Sequence, residues 1–224
     1  MISTAPNHVR QHGSLLAAPE KRLLIWIAGR LPRCINSDHL TLLALVAMAA
    51  AGTAFAAARF WPPALWGVVA ALAVNWFGDS LDGTLARVRR AERPRYGFYV
   101  DHVLDIVGIT LLMTGLALSG YMTPLVAMAL LAAYLLVSAE VFLATAANGI
   151  FRLSFLWFGP TELRIVLAAG ALALFSDPHV DLGPFGRQAL FDVGGVVATA
   201  GLALALVSAV VRNTRLLARM EPRR

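Results

Sequence analysis

The sequence predicts an all-α integral membrane bundle of six transmembrane helices with an N-terminal amphipathic interfacial helix. Of the 224 residues, 58% are hydrophobic and only 14% are charged, whereas soluble proteins average about 45–50% apolar and about 25% charged residues. Six apolar stretches approach the roughly 20 residues that a helix needs to cross a bilayer. This composition excludes a soluble globule and a disordered chain, and the lone Cys34 excludes a disulfide scaffold.

The chain before the first apolar stretch is predicted to lie outside the hydrocarbon core. Met1 to Gly13 is polar, so we expect no cleavable signal peptide. From Pro19 to Leu31, leucine and isoleucine recur at helical spacing beside three basic residues, which favours a helix in the membrane interface. A short soluble cap helix is the alternative. We expect residues 1–36 to form a cytoplasmic N-terminal segment.

Six stretches are predicted to cross the membrane, each bounded by Pro, Gly or charged residues. The fifth is the shortest. They are Leu40 to Phe60, Pro63 to Arg90, Gly97 to Leu118, Pro124 to Asn148, Pro160 to Phe175 and Ala189 to Arg212. We expect them to form one membrane domain over residues 37–214, followed by a basic cytoplasmic tail over residues 215–224.

The distribution of basic residues predicts the orientation in the membrane. All but two of the 19 Lys and Arg residues fall on one side of the predicted spans, the exceptions being Arg59 and Arg187. Because cytoplasmic loops collect Lys and Arg, we expect both termini in the cytoplasm of a plasma (inner) membrane protein. The net charge of +6 then indicates contact with anionic lipid headgroups, and the apolar spans argue against a nucleic-acid partner.

Four aspartates lie where apolar residues are expected. Asp79 and Asp82 occupy the second span, and Asp101 and Asp105 the third, at spacings that give each helix one acidic stripe. Each uncompensated Asp near a helix centre costs roughly 2.5–3.5 kcal/mol, so a cation is needed among them. Carboxylates favour Mg²⁺, Mn²⁺ or Ca²⁺. A salt-bridge network without chemistry is the alternative.

Small residues and an arginine accompany the acids. Gly83, Ala86 and Gly97 keep the helix surface low, so that a ligand can approach the backbone, although small residues also serve as plain helix contacts. Arg87 is suited to a phosphate oxygen. Together with the acids, these residues indicate a diphosphate site in which metal ions bridge phosphates.

This pattern resembles the signature of the CDP-alcohol phosphotransferases (CDP-alcohol phosphatidyltransferases), integral membrane enzymes of phospholipid synthesis. The signature runs Asp79-x2-Asp82-Gly83-x2-Ala86-Arg87, then nine residues, then Gly97-x3-Asp101-x3-Asp105. The resemblance implies that Asp79, Asp82, Asp101 and Asp105 hold one or two Mg²⁺ or Mn²⁺ ions. It implies a CDP-alcohol site at Gly83, Ala86, Arg87 and Gly97, with Asp105 as the general base. It also implies a homodimer and displacement at phosphorus with release of CMP.

Two branches of the family differ in the substrate that carries the CDP. His102, after Asp101, resembles the Asp-His pair of choline and ethanolamine phosphotransferases, which use a soluble CDP-amino alcohol and diacylglycerol; Thr161 to Ile165 also resembles a segment of that branch. The compact length and lone cytoplasmic helix are instead similar to bacterial phosphatidyltransferases, which use CDP-diacylglycerol and a small polar alcohol. We favour CDP-diacylglycerol as the donor and keep the other branch as the alternative.

Residues elsewhere in the spans are candidates for binding the acceptor. Arg152, Glu162 and Arg164 flank the fifth span, where paired arginines suit an anionic acceptor; ordinary positive-inside residues are the equal alternative. Glu140 is an acid within the fourth span, which could also neutralise Arg152 or Arg164. His102 completes the set, and simple packing explains it equally well.

Two other functions remain open at the sequence level. An intramembrane prenyltransferase also holds Mg²⁺ and diphosphate with paired Asp-rich stretches, but usually has more spans. A divalent-cation transporter lines its pathway with acids, but gives no reason for the Ala86-Arg87 pair.

Overall fold

The computed structural model describes residues 17–148 and 160–221 and is mostly helical. Helices begin where the sequence offers caps: the Asn36 side chain accepts a hydrogen bond from the backbone N–H of His39, and Pro94 occupies a first helical turn. The elements are α1 (Ala17–Ala28), α2 (Ser37–Ala58), α3 (Ala64–Val88), α4 (Pro94–Leu118), α5 (Pro124–Asn148), α6 (Pro160–Ala173), β1 (His179–Asp181), a 3₁₀ turn (Gly183–Phe185), β2 (Arg187–Ala189) and α7 (Leu190–Met220).

The all-α membrane bundle predicted from the sequence is confirmed. Within the described residues, α2, α3, α4, α5 and α7 are long and apolar enough to cross a membrane. Helix α6 occupies the predicted fifth span but has only 14 residues, which rise about 21 Å at about 1.5 Å per residue, against a hydrocarbon core of about 30 Å. A span at α6, and with it the total of six spans, therefore stays a prediction.

Helix α1 packs on the bundle through one of its faces. Leu24 and Ala28 are buried with Leu81 and Leu85 of α3, while Trp26 is 56% exposed. This division is the amphipathic pattern expected from the sequence. The location of α1 in a membrane interface stays a prediction.

Glycines allow α2 to approach both α3 and α4 at backbone distance. A Cβ atom added to Gly115 of α4 would lie 1.9 Å from the carbonyl oxygen of Gly52, and one added to Gly78 of α3 would lie 2.6 Å from that of Leu40. Since no side chain fits at these crossings, the glycines fix how α3 and α4 lie against α2. The three helices form the part of the bundle that carries the aspartates.

A short antiparallel hairpin joins α6 to α7, a feature that the sequence analysis did not predict. Its register pairs His179 with Ala189 and Asp181 with Arg187. The carboxylate of Asp177 accepts a hydrogen bond from the backbone N–H of His179 and forms an ion pair with Arg187 at 2.6 Å. These contacts lower the pKa of Asp177. Gly183, the first residue of the 3₁₀ turn, and Gly186, just after it, have positive φ angles. These two glycines were the available sequence signal for a turn.

The closest helix crossing gives a stability prediction. Gly115→Ala should lower the thermal midpoint of the detergent-solubilised protein, because overpacking typically costs about 1–3 kcal/mol and the obstructing atom here is backbone. Gly201→Ala is the matched control: a Cβ there meets nothing within 4 Å, so it should be neutral or slightly stabilising. Equal midpoints for the two variants would contradict the close α2–α4 crossing.

Candidate active site

Helix α3 is attached to α2 by a row of contacts along one face. The side-chain amide nitrogen of Asn75 donates a hydrogen bond to the carbonyl oxygen of Ala44 at 2.9 Å. One turn further on, Gly78 permits the close approach to α2, and beyond it Thr41 Oγ1 donates to Asp82 Oδ2 at 2.8 Å. These contacts turn Asp82 toward α2 and leave Asp79 free to face other helices.

Three of the four predicted metal ligands come together. Carboxylate oxygens of Asp79, Asp101 and Asp105 all lie within 4.8 Å of one another, with Asp79 and Asp101 partly buried and Asp105 exposed. The i, i+4 spacing puts both acids of α4 on the side that faces Asp79. A set of hard oxygen donors at this separation fits a divalent cation, and we refer to it below as the carboxylate cluster.

Asp82 differs from the cluster in its surroundings. It is buried, with 9% of its surface exposed, and its carboxylate accepts hydrogen bonds from Thr41 and from the backbone N–H of Gly83. The Ser37 hydroxyl also donates to the Asp82 carbonyl oxygen at 2.9 Å. The role of Asp82 as a fourth metal ligand therefore stays a prediction.

Arg164 supplies a positive charge at the cluster from helix α6. Its Nη2 lies 2.5 Å from Asp79 Oδ2, and its Nε donates to Asn75 Oδ1 at 2.6 Å. Both side chains of the ion pair are largely shielded, with 14% and 22% exposed. Arg87, the arginine that ends the acidic stripe of α3, donates from its Nη2 to Thr84 Oγ1 at 3.1 Å.

The residues predicted to bind the CDP-alcohol line open surface near the start of α4 and the end of α3. A Cβ atom added to Gly97 would meet nothing within 4 Å. A Cβ atom added to Gly83 would lie 3.4 Å from a guanidinium nitrogen of Arg87. Ala86 is partly buried. Open space is therefore found at Gly97, and the CDP-alcohol site at these residues stays a prediction.

The predicted acceptor residues are dispersed. The His102 ring nitrogen Nδ1 lies 2.6 Å from the carbonyl oxygen of Phe98, and its ring is tilted against that of Phe98 and meets that of Phe142 edge-on. The carboxylate of Glu140 accepts a hydrogen bond from the Asn213 amide at 2.6 Å, which ties α5 to α7. Glu162 is partly buried near the start of α6. Arg152 lies outside the described residues.

An apolar groove adjoins the cluster through Arg164. It has a volume of about 480 Å³ and runs between α1, α3 and α6. The polar lining residues lie at the end near Trp76, where the Trp76 indole and the Thr161 hydroxyl both donate to Glu20. The rest of the wall is apolar. The lining residues are Glu20, Leu23, Val69, Leu72, Ala73, Trp76, Thr161, Arg164, Ile165 and Ala168.

Sequence reasoning missed the partners that hold the acids. Thr41 and Asn75 were the available signals, because each is a polar side chain in an otherwise apolar span. Glu20 was not among the predicted site residues, yet its carboxylate accepts hydrogen bonds from α3 and α6. No local pattern reports such a contact, because it joins residues far apart in the chain.

Comparison with known proteins gives one match. A family model described as CDP-alcohol phosphatidyltransferase matches residues 35–211, well over half of the chain. The matched range begins just before α2 and includes the carboxylate cluster, Asp82 and Arg164. Helix α1 precedes it. No curated protein matches the chain.

The cluster gives a prediction about metal binding. Asp101→Asn should weaken the affinity for Mn²⁺, measured by electron paramagnetic resonance of the free ion, by about tenfold or more, because it removes one charged ligand and tenfold corresponds to only about 1.4 kcal/mol. Asp181→Asn, which alters an acid of the hairpin, is the control. If both variants bind Mn²⁺ as the unmodified protein does, the cluster is not a metal site.

Proposed function

The chain belongs to the CDP-alcohol phosphatidyltransferase family, and we propose that it transfers a phosphatidyl group from CDP-diacylglycerol to a small polar alcohol, releasing CMP. The family consists of phosphotransferases that act on CDP-linked substrates in phospholipid synthesis. The apolar helices are those of an integral membrane protein. The observation that carries the proposal is the carboxylate cluster, which lies beside open glycine surface on one side and, through Arg164, an apolar groove on the other.

The cluster supports a divalent-cation site, in keeping with the general cation dependence of the family. Asp79, Asp101 and Asp105, joined by Asp82 as the resemblance implies, would hold Mg²⁺ or Mn²⁺. When bound, such an ion neutralises charge on the phosphoryl oxygens of the substrate. The hard oxygen character of all the donors supports this class of ion.

The reaction proposed at this site is a displacement at the phosphorus that carries the diacylglycerol. Asp105 accepts the proton of the acceptor hydroxyl, whose oxygen forms a bond to that phosphorus while the bond to the CMP oxygen breaks. The position of the Asp105 carboxylate at the cluster, one helical turn beyond Asp101, supports its role as the base for an acceptor bound there.

The CDP moiety is proposed to lie along Gly83, Ala86, Arg87 and Gly97. The open space at Gly97 supports close approach of a bulky ligand to the backbone. The guanidinium of Arg87, which lies over Gly83, is suited to the diphosphate oxygens. These residues would hold the nucleotide while the reacting phosphorus faces Asp105.

The groove supports a lipid substrate, and His102 bears on which substrate carries the CDP. Diacylglycerol chains would fill the apolar groove in either branch of the family, so the groove alone does not distinguish the branches. The Asp101-His102 pair resembles that of the amino-alcohol branch, and in the structure the His102 ring contacts Phe98 and Phe142. We favour CDP-diacylglycerol as the donor because the compact length and the lone cytoplasmic helix are similar to those of bacterial phosphatidyltransferases.

Arg164 is the acceptor-site candidate with the strongest structural support. Its guanidinium lies within hydrogen-bond distance of Asp79, a member of the carboxylate cluster. A guanidinium at this place suits an anionic group on the acceptor or a phosphoryl oxygen. Arg152, Glu162, His102 and Glu140 stay secondary proposals. The acceptor alcohol itself is left to experiment.

The oligomeric state, the membrane and the orientation of the enzyme are proposed from its charge distribution and its family. We infer a homodimer in the plasma (inner) membrane, with both termini and the active site facing the cytoplasm, where CDP-linked substrates are made. The excess of basic residues on that side supports this orientation and contact with anionic lipids.

The donor can be identified by measuring CMP release from the purified protein with Mg²⁺ or Mn²⁺. We expect metal-dependent release from CDP-diacylglycerol in the presence of pooled polar alcohols, and omission of one alcohol at a time identifies the acceptor. Release only from CDP-choline or CDP-ethanolamine with diacylglycerol would assign the other branch. No release from any donor, with labelled cation uptake into vesicles, would favour a transporter.

The proposed base gives a second prediction. Asp105→Asn should lower kcat/KM by at least about 100-fold, because general-base catalysis contributes typically 10²–10⁴-fold, while the elution volume and thermal midpoint stay unchanged. Asp181→Asn should retain full activity. Substantial residual turnover in Asp105→Asn would remove Asp105 from the role of base.

A further inference from the structure

One carboxylate oxygen of Glu20 joins three helices. Its Oε1 accepts hydrogen bonds from the indole N–H of Trp76 at 2.7 Å and from the hydroxyl of Thr161 at 3.0 Å, with the hydroxyl of Ser80 at 3.4 Å. Glu20 belongs to α1, Trp76 and Ser80 to α3, and Thr161 to α6. Because Glu20 precedes residue 35, it lies outside the range matched by the family model.

The contact bears on Arg164 through helix α6. Thr161 lies in the first turn of α6, and Arg164 follows three residues later on the same face. The start of α6 is therefore fixed to α3 at two levels, by Glu20 next to Trp76 and by Arg164 at Asn75 and Asp79. A negative charge at a helix N-terminus also interacts favourably with the helix dipole.

Anchoring of α1 alone does not account for this arrangement. Leu24 and Ala28 already bury α1 against α3, and the Arg89 guanidinium donates to the carbonyl oxygens of Leu31 and Pro32 at 2.9 and 3.0 Å, just after α1. An apolar residue would pack α1 without the desolvation cost of a partly buried carboxylate. What the carboxylate adds is the link to Thr161.

We propose that Glu20 is a positioning residue of the active site. It fixes the start of α6 so that Arg164 reaches Asp79 and the groove keeps its polar end next to the carboxylate cluster. Its effect on turnover rests on the proposed function, whereas its effect on Arg164 does not. A residue of the N-terminal helix thereby controls the charge at the cluster.

The test that is independent of catalysis measures Mn²⁺ affinity. Arg164→Gln should bind Mn²⁺ about tenfold more tightly, because the guanidinium no longer competes with the cation for Asp79 and no longer repels it. Glu20→Ala should shift the affinity in the same direction, and adding Glu20→Ala to Arg164→Gln should change it no further. An unchanged affinity in Glu20→Ala, or fully additive shifts in the double variant, would overturn the proposal.

Two conservative variants separate positioning from loss of fold. Glu20→Gln keeps an acceptor oxygen for Trp76 and Thr161 and should bind Mn²⁺ as the unmodified protein does. Thr161→Val removes a single hydroxyl donor and should reproduce part of the Glu20→Ala shift, while Thr161→Ser should restore the original affinity. Lys21→Ala, at the exposed neighbouring position of α1, is the matched control. If Glu20→Gln behaves like Glu20→Ala, hydrogen-bond acceptance is not the mechanism.

Turnover provides the second readout. Glu20→Ala should lower kcat about 10–100-fold, as expected when a reacting geometry is displaced by about 1 Å, and should also raise the KM for the acceptor, because Arg164 is the proposed acceptor contact. The loss should be smaller in the Arg164→Gln background. Unmodified protein that binds Mn²⁺ but releases no CMP would contradict the proposed function, and the Mn²⁺ measurements would still decide the role of Glu20.

Discussion

The need to hold several carboxylates together inside an apolar bundle is the constraint on which the rest of this structure depends. Asp79 and the two acids of α4 sit on different helices, so their separation is set by how α3 and α4 pack. Both helices pack on α2 at glycines, and two of those glycines lie next to the acids: Gly78 beside Asp79, and Gly108 three residues after Asp105, against Met48. Helix α2 thus acts as the common reference that aligns the acidic stripes.

Charge compensation divides the acids into two kinds. Asp82 is satisfied by hydroxyl and backbone donors and is buried against α2. Asp79 is paired with Arg164, which is itself held by Asn75. Asn75 uses both ends of its amide, donating to Ala44 and accepting from Arg164, so one residue connects the α2 scaffold to α6. Asp101 and Asp105 bring two further carboxylates to the cluster, where a divalent cation would be stabilised.

Periodicity predicted the spans and the acidic stripes because both depend on spacing within one helix. The convergence of Asp79 with Asp101 and Asp105 followed, but the turning of Asp82 toward Thr41 did not, since the rotation of one helix against another is set by packing. For the same reason Arg164, not Arg87, pairs with Asp79 in the described contacts. Glu20 was beyond sequence reasoning because its partner Thr161 lies 141 residues away.

The arrangement of the groove relative to the cluster constrains how an amphiphile binds. Arg164 belongs to both, because it lines the groove and contacts Asp79. Chains placed along the apolar wall therefore bring a phosphate-bearing head to the guanidinium and the acids, whereas the reverse orientation would bury the phosphates against Val69 and Ala168 at a large desolvation cost. Glu20 and Thr161 complete the polar end of the groove, so under the proposed function the N-terminal helix would take part in setting the depth at which a lipid head meets the reacting groups.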